Sequence, residues 1–463
     1  MNLKVKYWDK KFILKILKVA APFIVLAIID SLMSLIDGIM VGNFQTPGSS
    51  EMAAVSLGNK YSGIAVIVIG AFIAMFSFLV MQYKGANNHK KIKSVYKIIT
   101  IGIFAFSAIF ILCAYFATDE IMRFFQGTNM ANTSTASGEA QDYTKVIIWK
   151  IIPLMLSSSY MQWLTANKKQ KIIIPLSLMI VVINAFGNYL FYRVFSLGLV
   201  GVAWSTVTVE CFLVIAIGGY IWFSKIDPVM FFNPLKIFQI DKTILLLGLK
   251  RSGLFIQNIT FSLASIGVMI IYSRWYGDGA SNVLAIVQPI LMMFYLAFNG
   301  VGRTKGIFVG YYIGKGDREQ AYINDKKLNM YTFITALVEG TILAAVALPI
   351  PLMWGNISHD IQLHATLVLL AVACTYPFAA ISKSMLLTFK AAGMGKEAVM
   401  SNGVFSVIFE FGIPLTLYLI DAYVAHIGIS FWQLYWISRL IKLVKIPPTY
   451  IFYKKYKWLD KAI

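Results

Sequence analysis

Charged residues are scarce in this chain: they make up 13% of its 463 residues, whereas hydrophobic residues make up 58%. A soluble protein of this length would carry about a quarter charged residues, so the composition is that of an integral membrane protein. Three cysteines and four histidines form no spacing typical of a disulfide framework or a zinc centre. All three cysteines fall in apolar stretches, and we expect them to be buried reduced thiols: Cys113, Cys211 and Cys374.

Nucleotide-binding and hydrolase motifs are also missing. No Walker A motif, dinucleotide fingerprint or G-x-S-x-G motif occurs with a soluble domain behind it. The chain therefore carries no ATPase, and uphill transport would have to use an ion gradient. We expect no enzymatic activity and no cofactor.

Apolar stretches of about 20 residues, long enough to cross a hydrocarbon core of about 30 Å, recur along the whole chain. Helices are the expected spanning element, because every backbone amide in lipid needs an internal partner. The sequence predicts twelve spans, near residues 14–41, 53–82, 95–117, 144–164, 172–194, 198–223, 246–276, 281–312, 328–350, 361–389, 398–420 and 427–448.

The formal charge of +20 is distributed unevenly. Of the 41 lysines and arginines, 33 fall at the termini, in the loops after even-numbered spans and in the middle linker. The positive-inside rule places these parts in the cytoplasm. We therefore predict a multi-pass protein of the cell (cytoplasmic) membrane with both termini cytoplasmic. The positive charge is a topology signal, and we expect no nucleic-acid partner.

The chain also repeats itself at one offset. Gly85, in a tyrosine-led turn after the second span, has its counterpart in Gly314 after the eighth, 229 positions later. Ala166 pairs with Ala392 at an offset of 226. A recurring offset indicates two homologous halves, as in many transporters. The predicted domains are an N-terminal lobe of spans one to six, a cytoplasmic linker and a C-terminal lobe of spans seven to twelve, at 1–223, 224–245 and 246–463.

Polar side chains inside spans are costly and usually face a cavity or a partner. Asp30 and Asp37 are two helical turns apart on the first span, and Asn184 and Asn188 share one face of the fifth. An isolated asparagine often only bonds a neighbouring helix. Asp37 has no basic residue within one turn, so it needs a proton, a cation or a distant partner.

Several short motifs, in their order and spacing, resemble the multidrug and toxic compound extrusion (MATE) family of the multidrug/oligosaccharidyl-lipid/polysaccharide flippase superfamily. The first span has a proline near its start and an aspartate before Met-Val-Gly. The turn Gln-Tyr-Lys-Gly-Ala at 82–86 and the segment 175–206 are similar to the family's cytoplasmic turn and to its helices five and six.

This resemblance implies a twelve-helix, all-α antiporter with two pseudo-symmetric six-helix lobes around a V-shaped central cavity. Drugs or organic cations would leave the cell as H⁺ or Na⁺ enters. The family's N-lobe cation site, with a proton or Na⁺ at its aspartate, falls on Asp37, Asn184, Asn188 and Thr206. Many prokaryotic members have a second aspartate where Asn188 stands. The C-lobe sodium ligands of some members fall on Gln257 and on Ser382 or Lys383, so the resemblance implies no C-lobe sodium site.

Further polar residues of the spans are candidates for the substrate cavity: Asp30, Gln257, Asn258, Lys383 and Glu410. The expected partners are a small-molecule substrate and the lipid bilayer, and we expect a monomer. A flippase for a lipid or lipid-linked precursor is an alternative, since such flippases line their cavity with Arg and Lys, and spans here contain Lys60, Lys150, Lys383 and Arg439. A membrane-embedded transferase would need a catalytic histidine or acidic cluster at one membrane face, and a channel would need a filter-like motif.

Overall fold

The computed structural model describes residues 7–44, 51–126, 134–224, 226–227, 229–231, 237–250, 252–349, 359–424, 428–455 and 457–460. Every regular element among these residues is helical. In chain order the α-helices are α1 (Lys10–Phe44), α2 (Glu51–Gly85), α3 (His89–Phe116), α4 (Thr118–Gln126), α5 (Ser134–Ile147), α6 (Ile151–Ala166), α7 (Ile173–Tyr189), α8 (Gly198–Phe223), α9 (Lys242–Lys250), α10 (Gly253–Phe294), α11 (Leu296–Gly314), α12 (Arg318–Val346), α13 (His359–Ala391), α14 (Gly395–Ala398), α15 (Gly412–Tyr423), α16 (Phe431–Ile441) and α17 (Ile446–Lys454).

Shorter helical segments join these helices. Three have π-helical geometry, at Leu190–Val194, Val399–Val404 and Ser406–Phe411. Four have 3₁₀ geometry, at Ile148–Lys150, Gln170–Ile172, Lys442–Lys445 and Lys457–Asp460. The π segments at 399–404 and 406–411 follow each other within one predicted span. Such π segments are rare and often occur at functional sites.

The chain divides into two compact units. The N-terminal unit comprises Val25–Phe76 and His89–Leu245. The C-terminal unit comprises Met1–Ile24, Ser77–Asn88 and Leu246–Ile463. The lobe boundaries predicted from the sequence stay a prediction.

Seven described helical segments are long and apolar enough to cross a membrane: Tyr61–Gly85, His89–Phe116, Ile173–Val194, Gly198–Phe223, Arg318–Val346, His359–Ala391 and Gly395–Tyr423. They coincide with predicted spans two, three, five, six, nine, ten and eleven. These helices form because unbroken apolar sequence in lipid leaves the backbone no hydrogen-bond partner other than itself.

The break between predicted spans seven and eight lies elsewhere than expected. The sequence predicts it between residues 276 and 281, where Gly277, Asp278 and Gly279 form a turn-like triplet. In the structure α10 runs through this triplet to Phe294, and the interruption comes at Tyr295, before α11. A glycine inside a helix costs only about 1 kcal/mol relative to alanine, so this triplet does not have to end a helix.

The expected burial of the cysteines is wrong. The three cysteines are free thiols, but they lie on exposed helix surfaces rather than in the core. A helix surface that faces lipid is apolar without being buried in protein, so an apolar stretch does not by itself indicate burial.

A buried ion pair joins α11 to α12 in the C-terminal unit. Lys305 Nζ lies 3.0 Å from Asp325 Oδ1, and both side chains are fully buried. The ammonium also donates to Asn329 Oδ1, to the Ser384 carbonyl and to Thr388 Oγ1, each at 2.8 Å. Lys305 is one of the 33 basic residues assigned to the cytoplasmic side, and the structure shows it paired inside the protein rather than solvated. A basic residue near the end of a span satisfies the positive-inside rule whether it is solvated or paired inside.

The two repeated turns meet within the C-terminal unit. A Cβ atom at Gly85 would collide with the Tyr311 carbonyl oxygen and lie 2.9 Å from the backbone nitrogen of Lys315. A Cβ atom at Gly314 would collide with the Gln82 carbonyl oxygen. Only glycine permits two backbones to approach this closely. The repeat therefore preserves a contact between helix ends.

Candidate functional site

Three of the four residues predicted to bind the coupling cation meet in the N-terminal unit. Asn188 Nδ2 donates to Asp37 Oδ1 at 2.6 Å and lies 3.4 Å from Asn184 Oδ1. Asn184 and Asn188 are fully buried, one helical turn apart on α7. The side chain of Asp37 on α1 is half-buried. The carboxyl group of Asp37 is thus held in an apolar helix bundle by a neutral amide.

The neighbouring helix α8 approaches this pair through small residues. Ser205 Oγ donates to the Asn184 carbonyl at 3.2 Å, and a Cβ atom at Gly187 would collide with Ser205 Oγ. Thr206, the fourth predicted residue, is buried, but its hydroxyl donates to the Val202 carbonyl of its own helix at 3.1 Å. The structure therefore gives Thr206 a helix-internal bond. Ser205, which the sequence analysis did not select, is the α8 residue that contacts α7.

Two buried polar atoms beside Asp37 are unsatisfied. Among the described residues, Asn184 Nδ2 and Asn188 Oδ1 have no hydrogen-bond partner. A proton on Asp37 fits this arrangement as it stands, because amide oxygens can accept from a carboxylic acid. A Na⁺ ion prefers oxygen ligands, so it would also require the Asn188 amide to turn its oxygen towards Asp37. Where the structure describes the chain, no group of three His, Cys, Asp or Glu side chains could hold a metal ion.

One basic residue acts on Asp37 from another segment. Lys150, in the 3₁₀ turn before α6, interacts electrostatically with Asp37 and with Glu210, and its ammonium donates to Asn59 Oδ1 at 3.2 Å. Lys150 is a basic residue outside α1 that acts on Asp37 only electrostatically. Its direct hydrogen bond goes to an amide, so the closest donor to Asp37 remains Asn188.

The predicted cavity residues of the C-terminal unit have separate surroundings. Gln257 is buried on α10, and the next residue, Asn258, accepts from Lys390 Nζ at 2.7 Å. Glu410 is buried in a π segment and pairs with Lys445 and, at 3.6 Å, with Lys442. Lys383 lies over two aromatic rings at the break before α11, and Ser382 bonds its own helix. The side chain of Asp30 lies outside the described part of the structure.

Comparisons with known proteins place this arrangement in a family context. Residues 22–190 match the family model MatE. No curated protein matches the chain. Among solved structures, an aspartate-to-asparagine mutant of a Vibrio cholerae MATE transporter has a TM-score of 0.80 at 13% identity, with 95% of each chain covered. An outward-facing multidrug resistance MATE transporter of the MOP superfamily has a TM-score of 0.77 at 16% identity, with 96% of each chain covered.

A third similar structure is a MOP superfamily transporter from Pyrococcus furiosus, with a TM-score of 0.77, 17% identity and 96% of each chain covered. Its description reports a binding pocket of reversed polarity that suggests a different function. At these identities the similarity concerns the fold. It confirms the predicted fold class, an all-α integral membrane protein with the twelve-helix fold of these transporters.

Proposed function

We propose that this chain, a MATE-type multi-pass membrane transporter by its family model and its fold, is a cation-coupled antiporter. It would export small amphipathic or cationic compounds, such as drugs, in exchange for one entering H⁺ or Na⁺. The observation that carries the proposal is the contact of 2.6 Å between Asp37 and the buried amide of Asn188. No cofactor is needed, because the ion gradient supplies the free energy.

The coupling step follows from the hydrogen bonds of Asp37. With the carboxylate ionised, Asn188 Nδ2 holds α1 against α7. A proton or Na⁺ on the carboxylate neutralises it and weakens this charge-assisted bond. The bond between Ser205 and the Asn184 carbonyl does not involve Asp37, so the α7–α8 contact would persist. The ion then favours a different packing of α1 to the extent that it binds the two packings with different affinity.

The test is the substitution Asp37→Asn in proteoliposomes loaded with a fluorescent substrate such as ethidium. Asparagine preserves the shape of the side chain but cannot be protonated or neutralised. We expect the variant to fold and to lose gradient-driven transport, because its carboxamide can still accept from Asn188 Nδ2 but cannot bind and release the coupling proton or Na⁺. Imposing either a pH gradient or a Na⁺ gradient on the wild type identifies the coupling ion.

Asp142→Asn is the matched control, since Asp142 is an exposed acid of the same unit. We expect it to transport at the wild-type rate. Equal transport rates for Asp37→Asn and wild type, at matched expression and gradient, would remove Asp37 from the mechanism.

The membrane orientation is part of the proposal. The basic residues support a cytoplasmic side that includes both termini and the turn after α11. In a cysteine-free background, Ser137→Cys and Lys315→Cys should react with an impermeant reagent from opposite sides of the membrane. Reaction of both from one side would contradict this topology. A monomer in the cell membrane is the proposed state.

A flippase for a lipid-linked precursor is the second candidate function. It is favoured by four basic residues of the C-terminal unit: Lys383 on α13, Arg439 on α16, and Lys442 and Lys445 in the 3₁₀ segment after α16. The reversed pocket polarity reported for the Pyrococcus furiosus relative provides a precedent within the fold for a different substrate. Translocation of a fluorescent anionic lipid, but not of ethidium, by the wild type would favour this function over drug export.

A further inference from the structure

The helix break at Tyr295 is surrounded by a group of polar and aromatic side chains that the mechanism at Asp37 does not use. We call it the Tyr295 cluster. It lies entirely in the C-terminal unit and draws on α11, α12, α13 and α16 as well as on the break itself. Its members are Tyr295, Phe298, Glu339, Tyr376, Lys383 and Arg439.

Three side chains of the cluster are buried: Phe298, Glu339 and Tyr376. Phe298 and Tyr376 pack edge to face with ring centroids 5.7 Å apart, and Tyr295 and Tyr376 have centroids 4.6 Å apart. Glu339 Oε1 accepts the backbone N–H of Phe298 at 3.0 Å. That N–H belongs to the first turn of α11, where backbone donors lack helical partners. The carboxylate of Glu339 therefore has a structural role as a cap, and its charge is partly compensated.

The basic residues form the accessible side. Lys383 Nζ lies 5.0 Å from the ring centroid of Phe298 and 5.9 Å from that of Tyr295, and its side chain is exposed. Arg439 Nη2 donates to the Tyr295 hydroxyl at 2.6 Å, and the guanidinium lies over Tyr435 at 5.7 Å. Tyr295 thus contacts both cations. Against the single carboxylate of Glu339, the cluster carries an excess of one positive charge.

Three polar atoms of the cluster remain unsatisfied. Within the described residues, Glu339 Oε2, the Tyr376 hydroxyl and Arg439 Nε have no hydrogen-bond partner. Glu339 and Tyr376 are close enough to interact, but their geometry does not complete a hydrogen bond. Both are more than nine-tenths buried, with exposures of 8% and 7%. Buried polar groups normally have partners, so the unpaired Nε donor of Arg439 is available to an acceptor atom of a ligand.

We propose that the Tyr295 cluster binds the anionic group, a carboxylate or a phosphate, of an amphipathic molecule. Arg439 supplies the unpaired donor and Lys383 the accessible charge, while the hydroxyl of Tyr376 can donate as well. The partly exposed ring of Tyr295, which contacts both cations, would contact the apolar part. A cationic group would meet two like charges at the same place. This inference rests on the proposed transport function and names a substrate class for it.

A second basic group lies close enough to Arg439 to interact with it electrostatically. Lys442 and Lys445, just after α16, share the single carboxylate of Glu410. Lys445 also donates to Ser406 Oγ at 2.7 Å and Asn402 Oδ1 at 2.9 Å. This group too has one more cation than carboxylate, so the positive potential is not confined to one residue pair. It would favour an anion approaching Arg439.

The test is equilibrium binding to the full chain in nanodiscs of phosphatidylcholine, without a gradient. Two probes share a three-ring aromatic core and differ in charge: fluorescein is an anion and rhodamine 6G a cation. We expect fluorescein to bind saturably, and Arg439→Gln and Lys383→Gln to weaken its affinity by at least about 10-fold each, as expected for a lost hydrogen bond or ion pair to a charged group. The affinity for rhodamine 6G should not fall.

Arg318→Gln is the matched control. Arg318 is an exposed basic residue of the same unit, paired with Asp460, and its substitution should leave fluorescein binding unchanged. Arg439→Lys should bind with intermediate affinity, because it keeps the charge but not the planar donor group. No saturable fluorescein binding to the wild type, or unchanged affinity in both glutamine variants, would overturn the proposal. If Arg439→Gln does not fold, the fluorescein affinity of Lys383→Gln tests the proposal, because Lys383 is exposed.

Two sources of the anionic group can be separated in nanodiscs that also contain phosphatidylglycerol. If phosphatidylglycerol weakens fluorescein binding to the wild type but not to Lys383→Gln, the ligand is a lipid headgroup phosphate. Unchanged fluorescein binding would identify a soluble amphiphile. Both results support the anion site. If the protein shows gradient-driven transport but does not bind the anion, only this inference is refuted. If it binds the anion but shows no gradient-driven transport, only the proposed function is refuted.

Discussion

The substitution Asp325→Asn tests how much the C-terminal unit depends on its buried ion pair. Asp325 faces Lys305 Nζ at 3.0 Å, and neither side chain has any exposed surface. Asp325 also accepts from Asn329 Nδ2 at 2.9 Å and from the hydroxyls of Thr388 and Tyr453. Asparagine has almost the same shape, so the change removes the negative charge and little else.

The expected cost is large because the Lys305 ammonium has no second carboxylate partner among the described residues. Breaking a buried pair by removing one partner typically costs about 3–5 kcal/mol, since an uncompensated charge is left behind. Lipid and protein around the helices provide no water to solvate that charge. The new carboxamide also directs an N–H group towards Asn329, Thr388 and Tyr453, which themselves donate to the carboxylate in the wild type. This clash of donors adds to the cost. We therefore expect a loss of about 3–5 kcal/mol in the free energy of unfolding.

The assay is equilibrium unfolding in mixed micelles by titration with dodecyl sulfate, followed by circular dichroism. Asp460→Asn serves as the control, because its pair with Arg318 at 3.0 Å is exposed and such pairs contribute little. The double variant Lys305→Met, Asp325→Leu removes both charges and should lose less than the sum of the single variants. It should not reach wild-type stability, since Asn329 and Thr388 lose partners at about 1–3 kcal/mol each.

A stability change of Asp325→Asn no larger than that of Asp460→Asn would refute the reasoning. So would strictly additive effects in the double variant, because two residues in one ion pair must show a coupling energy. Either result would mean that Lys305 reaches solvent or another counter-ion.

Two further predictions concern the termini of helices. Gly85→Ala and Gly314→Ala should each lower stability by about 1–3 kcal/mol through backbone overlap, whereas Gly306→Ala, with open space at its Cβ position, should be neutral or slightly stabilising in the same titration. A hydrogen bond from Lys327 and one from the Phe12 backbone hold the pKa of Asp9 below its ordinary value. Asp9 therefore stabilises the folded state at neutral pH, and this contribution is lost as the pH falls below about 4. In thermal unfolding between pH 3 and 7, the Tm of the wild type should exceed that of Asp9→Asn at neutral pH. The two Tm values should converge in acid.

The spans were predictable because the bilayer imposes a simple rule on sequence. A helix such as α8 or α13 needs about 20 apolar residues, and nothing else in the chain produces such runs. The contact between Asp37 and Asn188 was not predictable in this way. Periodicity places Asn184 and Asn188 on one face of α7, but it cannot tell which helix that face meets. The family resemblance supplied that pairing, and the structure brings the three side chains together.

The buried pair of Lys305 and Asp325 shows where sequence reasoning fails. The two residues are 20 positions apart on successive helices, beyond any spacing that marks a helical pair. Lys305 follows a glycine-rich stretch near the end of a predicted span, where the positive-inside rule favours the cytoplasm. The break at Tyr295 is similarly hidden, since it has neither proline nor glycine at its position. Both features depend on contacts between helices, which a single sequence does not encode in its periodicity.

The carboxylates of the spanning segments differ in what compensates their charge. Asp325 and Glu410 are paired with lysines that belong to the chain, so their counter-ions cannot leave. The closest donor to Asp37 is a neutral amide, and Lys150 acts on it only electrostatically. A site that exchanges its cation with solution needs the second arrangement, because a permanent counter-ion would compete with the transported one. Removing the charge of Asp325 should therefore reduce stability, whereas removing the charge of Asp37 should reduce transport, and the two effects can be measured separately in the same protein.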